Sequence, residues 1–177
     1  FFAFQIPLNE TDLQLQKFQD FKRGLLYGSL VLVYSSLESD AYRYCAITYY
    51  PNRGPTPDGR IEVLTTGLRS TRPMTQVFDP HRVMGHNATY RARARLYRKD
   101  AFHETKVIFT DYKFCTILRT RSYHNLCELF TGGRHDSDRV NSWCFFIYTV
   151  FCGQPAVSYK TLDECWRRPR PHITKNK

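Results

Sequence analysis

Residues 104–130 read ETKVIFTDYKFCTILRTRSYHNLCELF, and the fold follows from how that stretch divides. Three runs rich in β-branched and aromatic residues, Glu104–Thr110, Lys113–Thr120 and Leu126–Phe130, stand close together, with the first break at Asp111-Tyr112. Short runs of that composition separated by turn chemistry read as antiparallel strands. In Leu126-Cys127-Glu128-Leu129-Phe130 the side chains alternate, so Glu128 faces away from Cys127. If Cys127 bonds outward, Glu128 points inward with Leu126 and Phe130. A carboxylate in a dry interior is costly unless it meets a cation or is hydrogen-bonded. Two readings stay open: an ammonium-binding group helped by aromatic faces, or an internally hydrogen-bonded structural glutamate.

Working outward, the same punctuation recurs upstream. Strands are predicted at Leu26–Ser35, Tyr42–Tyr50, Arg60–Thr66, Met74–Phe78 and Thr89–Tyr97, with breaks at Pro51-Asn52-Arg53-Gly54-Pro55, Pro57-Asp58-Gly59 and Gly85-His86-Asn87. Eight short strands in sequence suggest an up-and-down antiparallel barrel, with a β-sandwich as the alternative. Before them, residues 1–25 form an apolar arm, Phe1-Phe2-Ala3-Phe4, and a short helix. Asn9 or Thr11 would cap that helix, Leu13, Phe18 and Phe21 would form its apolar face, and Gly24 would end it. After Gly132-Gly133 the period changes to that of a helix over residues 136–153. Asp136, Ser137 and Asp138 would start it, Val140, Cys144, Ile147 and Phe151 would form its stripe, and Gly153 with Pro155 would stop it. Such a helix must lie outside the barrel, because a small barrel has no room for it. The chain is thus expected to be one domain, 1–177, with barrel strands over 26–131, a short strand at Ala156–Tyr159 and a basic tail at 166–177.

Composition narrows the function. The 177 residues are 15% aromatic, and 26 basic against 16 acidic residues leave a net charge of +10. A positive field favours anionic partners without choosing among them. Nucleic acid is not expected, since no recognition module is present, and no apolar run is long enough for a membrane span. The six cysteines (45, 115, 127, 144, 152 and 165) contain no Cys-x-x-Cys pair, so a structural metal is not expected and three disulfides fit better, with fifteen possible connectivities. Two glycosylation acceptors, at Asn9 and Asn87, accompany them. With Phe1 in place of a Met and a basic leader, the chain reads as a mature secreted protein, expected to be a monomer. No His-Glu-x-x-His, Gly-x-Ser-x-Gly or phosphate loop occurs, and His81 and His86 read as solvated loop residues, so neither an enzyme nor a cofactor is expected.

In Tyr90-Arg91-Ala92-Arg93-Ala94-Arg95-Leu96 the period is two, so Tyr90, Ala92, Ala94 and Leu96 share a face. With the arginines in water, the two alanines leave volume inside the barrel for a bulky guest. Turned inward, Arg91, Arg93 and Arg95 would clamp a carboxylate or sulfate. The expected lining of the calyx is Tyr90, Ala92, Ala94, Leu96, Phe109, Leu118, Glu128 and Phe130.

The segments Phe109–Cys115, Leu126–Phe130, Cys144 through Cys152-Gly153, and Tyr159–Cys165 resemble the salivary lipocalins of ticks, the histamine-binding clan. That resemblance implies a secreted eight-stranded barrel with a helix packed outside, which takes up small host mediators or lipids. It also implies the pairs Cys45–Cys165, Cys115–Cys144 and Cys127–Cys152. Departures matter: amine-binding members carry an acid-Ala-Trp element where this chain has Gln19-Asp20-Phe21-Lys22, and often an acid at the position of Thr116. Only Glu128 matches an amine-contacting acid of the clan. The six-cysteine, two-sequon layout resembles the sterol-binding, immune-modulating Japanin-like branch. The expected ligand is therefore a hydrophobic host molecule (a sterol such as cholesterol, a fatty acid or an eicosanoid) whose capture blunts inflammation. The alternatives are a biogenic-amine scavenger for histamine or serotonin, and a scaffold that engages a host immune-cell receptor or glycan.

Overall fold

The computed structural model describes residues 13–25, 30–37, 47–49, 61–66, 74–85, 91–95, 102–132 and 142–158. Asn9, Asn87, Tyr90, Leu96, Cys45, Cys165, the arm and the basic tail lie outside these residues. Among the described residues nine strands form one antiparallel sheet: β1 (Leu30–Ser35), β2 (Ile47–Tyr49), β3 (Ile61–Thr66), β4 (Met74–His81), β5 (Arg91–Arg95), β6 (Phe102–Thr110), β7 (Cys115–Thr120), β8 (Leu126–Gly132) and β9 (Val157–Ser158). Their order is β2-β3-β4-β5-β6-β7-β8-β1-β9. Consecutive strands pair from β2 to β8, as tight turns favour. β1 takes β8 along one edge; its other edge carries β2 at Leu30 and Val31 and β9 at Tyr34 and Ser35. The architecture is mainly β, antiparallel and lipocalin-like. β4 runs on through Pro80 to His81, past the expected stop at Phe78. Within the described residues the β3–β4 ladder reaches the Ile61–Phe78 pair, and Pro80 lies beyond it, one residue from the end of the strand. His81 is therefore a strand residue, not a loop residue, with Nε2 3.4 Å from Glu104 Oε1.

The N-terminal segment departs from a single helix ended by Gly24. A 3-10 helix, Leu13–Phe18, is followed by a separate α1, Phe21–Leu25. The break is chemical: Asp20 Oδ1 accepts the Arg23 N–H at 3.0 Å and so caps a new helical turn. Gly24 sits inside α1, where a Cβ would stand 3.1 Å from Thr110 Cγ2. It permits a close approach of helix to sheet. Phe21 is buried and Phe18 partly buried, with rings 5.3 Å from Phe78 and 5.4 Å from Phe109 respectively.

A second helix, α2, spans Ser142–Cys152. Two disulfides, Cys115–Cys144 and Cys127–Cys152, fasten it to β7 and β8. Its fully buried residues are Cys144 and Tyr148, while Ile147 and Phe151 are only partly buried against the same cluster. That cluster comprises Ile108, Phe109, Cys115, Ile117, Cys127 and Leu129 with the two helix residues, and Tyr34 and Cys152 lie at its edge. Arg119, a buried cation, sends its guanidinium to the Phe151 carbonyl and to Asn125 Oδ1 (3.0 Å). It supplies donors at the C-terminal end of α2, where carbonyls lack helical partners.

Candidate functional site

Cross-strand partners in an antiparallel ladder share a face, so α2 divides the sheet unambiguously. Cys115, Ile117 and Arg119 of β7, and Cys127 and Leu129 of β8, meet α2. The alternate residues belong to the opposite face. There Leu118 pairs with Glu128 and with Val107, Thr120 with Leu126 and Thr105, and Thr116 with Phe130 and Thr110. β1 adds Leu32, opposite Phe130, and Ser35, opposite Glu128. All of these side chains are buried, and Glu128 is 6% exposed.

Glu128 therefore lies on the face averted from the helix, between Leu118 and Ser35. Leu118 and Phe130 share that face. Phe109 does not, which corrects the expected lining. The register slips between Val107 and Phe109, so that Phe109 pairs with Ile117 and joins Ile108 under α2. A β-bulge adds one residue and inverts the alternation beyond it. The bulge also explains Gln19, whose buried side chain donates from Nε2 to the Ile108 carbonyl at 2.9 Å. Ala92 and Ala94 stand opposite Thr105 and His103 in the ladder, and Arg91, Arg93 and Arg95 opposite Lys106, Glu104 and Phe102.

One end of this face is covered by the N-terminal segment. Thr116 Oγ1 donates to the Gly24 carbonyl at 3.1 Å and shares a hydrogen bond of 3.0 Å with Thr110 Oγ1. Tyr112, at φ 61, latches the segment from outside. Its hydroxyl accepts the Asp20 N–H (3.0 Å) and donates to the Lys17 carbonyl (2.8 Å), and Arg23 stacks on its ring at 4.2 Å. Burial raises the Tyr112 pKa above the usual phenol value. The other end carries the exposed turn 121–125, with a hydroxyl pair, Thr105–Thr120 at 2.8 Å, just inside it.

Alternation in the sequence placed Glu128 on the face opposite Cys127, as the ladder has it, but gave no role to Gln19, Tyr112 or Arg119. Each acts across more than thirty positions or through a bulge, so no local pattern marks it. Asp111, Cys115 and Cys144 bring three potential metal-ligand atoms within 4.8 Å of one another. The two sulfurs are joined as a disulfide, so thiolates are not offered and the group does not fit a metal. No helix among the described residues is long and apolar enough to cross a membrane.

An antiparallel sheet whose strands β6, β7, β8 and β1 bury one face, with a helix clamped to the other and a carboxylate on the buried side, defines a lipocalin-like fold. The chain belongs to the tick histamine binding protein family, whose profile matches residues 73–166, more than half its length. That family is defined by ligand binding, not by a reaction. Among solved structures, the chain resembles the crystal structure of an AM182–serotonin complex, with a TM-score of 0.51 and 17% identity over 75% of this chain and 82% of that one. At that identity the likeness shows the fold alone. No curated protein sequence matches the chain.

Proposed function

We propose that this chain is a secreted scavenger of a biogenic amine, which it holds in a calyx with the ammonium group against Glu128. The carrying observation is that a carboxylate 6% exposed stands on the face averted from α2, among Leu118, Val107 and Phe130. A buried carboxylate has several acceptor sites on its two oxygens, so it can take a ligand's ammonium as a charge-assisted hydrogen-bond partner beside those the chain gives it. Support for closure of the sheet into an eight-stranded barrel is the short ladder by which β1 meets β2, Leu30↔Thr48 and Val31↔Ile47. Membership of a histamine-binding family and likeness to a serotonin-bound protein favour an amine over the expected sterol or other lipid. Neither gives a sterol support. The disulfides accord with an extracellular site of action.

The net charge of +10 argued for an anionic or apolar guest. Distance reverses that argument. Surface charges act through solvent and are screened beyond ~8 Å at physiological ionic strength, whereas a buried carboxylate in contact with its ligand is not. Sequestering an amine mediator would in turn blunt a host inflammatory response. The reading is tested by titration calorimetry of the purified protein with histamine and serotonin. At least one should bind, and Glu128→Gln should weaken it roughly ten- to a hundredfold, the range for losing a hydrogen bond to a charged group. No heat with either amine removes the reading.

A further inference from the structure

His103 stands on β6 two residues before Thr105, at the end of the buried face remote from α1. Its face follows from the ladder. Thr105 and Thr120 bond across the strands at 2.8 Å on the Glu128 face, and one step outward His103 Nδ1 meets Ser122 Oγ at 3.0 Å. The Tyr123 ring closes on the imidazole edge-on, with centroids 5.6 Å apart at 75°. Nε2 is buried and has no hydrogen-bond partner among the described residues. A buried donor or acceptor left unsatisfied costs about 1–3 kcal/mol, and such groups in native structures call for an explanation. The Ser122 bond orients the ring but does nothing for Nε2.

Resting on the amine reading of Glu128, we infer that His103 Nε2 is the second polar contact of the calyx and sets specificity by hydrogen-bonding a hydroxyl at the ligand end remote from the ammonium. The two groups are well separated. Val107 pairs with Leu118 and Leu118 with Glu128, while His103 is four residues from Val107, so their backbones stand roughly 10 Å apart across the sheet and 13 Å along it. Side chains that lean toward each other shorten that span without closing it. A compact amine reaches Glu128 alone; an elongated hydroxyaryl amine reaches both, with its ring over Val107 and Leu118. In either tautomer the imidazole serves, because a hydroxyl both donates and accepts.

The test compares serotonin with tryptamine, which lacks only the hydroxyl, by titration calorimetry on the native protein, His103→Asn and His103→Gln. Asparagine keeps an amide near Nδ1 for Ser122 but removes the Nε2 position; glutamine restores a polar group there. The native protein should prefer serotonin about tenfold, the worth of one hydrogen bond completing an orphaned partner. His103→Asn should bring the ratio near one with tryptamine affinity held within about twofold, and His103→Gln should restore part of the preference. Equal affinity of the native protein for the two amines, or a preference that survives His103→Asn, overturns this proposal alone. Failure of serotonin and tryptamine alike to bind overturns this inference, and only if histamine also gives no heat does the Glu128 reading fall with it.

Discussion

Asp111 shows how much one residue can organise. Its Oδ1 accepts the backbone N–H groups of Lys113 (3.0 Å), Phe114 (2.7 Å) and Cys115 (2.9 Å) and so closes the turn into β7. The turn in turn places Tyr112 against the N-terminal segment. Asp111→Ala should therefore lower stability by about 1–3 kcal/mol, the cost of stranding donors that are part-exposed, and Asp111→Asn by less because an acceptor remains. Urea unfolding of the three proteins decides it; equal midpoints would deny Asp111 this role. The sequence displayed Asp111-Tyr112 as a turn, but not what the turn holds. Which carboxylate oxygen faces which amide depends on φ 61 at Tyr112 and on a partner ninety residues away.

At the scale of elements, α2 is held by covalent and polar clamps more than by a clean amphipathic stripe. The disulfides close separations of 29 and 25 residues. A loop of that size contributes about 3–4 kcal/mol if it acts by restricting the unfolded chain. Replacing Cys115 and Cys144 together by Ser should lower the denaturation midpoint accordingly. Calorimetric binding of an amine to the surviving folded fraction should persist, since both cysteines lie on the α2 side. Loss of binding without loss of stability would place α2 in the ligand site instead. The helix was legible from its composition, and Cys144, Ile147 and Phe151 of the expected stripe do pack on the core, though of these only Cys144 is fully buried. Tyr148 is the residue driven fully inward, its hydroxyl 3.4 Å from the Cys127 carbonyl. Trp143 and Phe146 stack on the exposed side at 5.7 Å. An almost wholly apolar helix carries no contrast from which to read its inner face; the disulfide positions on β7 and β8 set its rotation.

For the whole molecule, the two perturbed tyrosines predict an alkaline limit. Burial raises the pKa of Tyr112, and burial with the nearby Glu128 charge raises that of Tyr148 further. The unfolded chain, with ordinary phenols, loses those protons first. It then binds fewer protons than the folded state, so stability is retained below about pH 10 and falls as pH climbs through the folded values. Thermal unfolding followed across that range should show the decline, and Tyr148→Phe should flatten it. An unchanged slope in that variant would assign the alkaline loss to other groups.

Strand positions, the two observed disulfides and the opposite facing of Cys127 and Glu128 were readable in the primary structure, because alternation, turn chemistry and cysteine order are local or resemble a known pattern. Tertiary structure alone decided that Phe109 turns outward at a bulge, that Asp20 breaks the N-terminal helix in two, and that Arg119 closes the end of α2. It also brought His103 onto the face of Glu128. Those outcomes depend on register, and register is settled by the sum of cross-strand packing on both faces of a sheet, which no window of sequence contains.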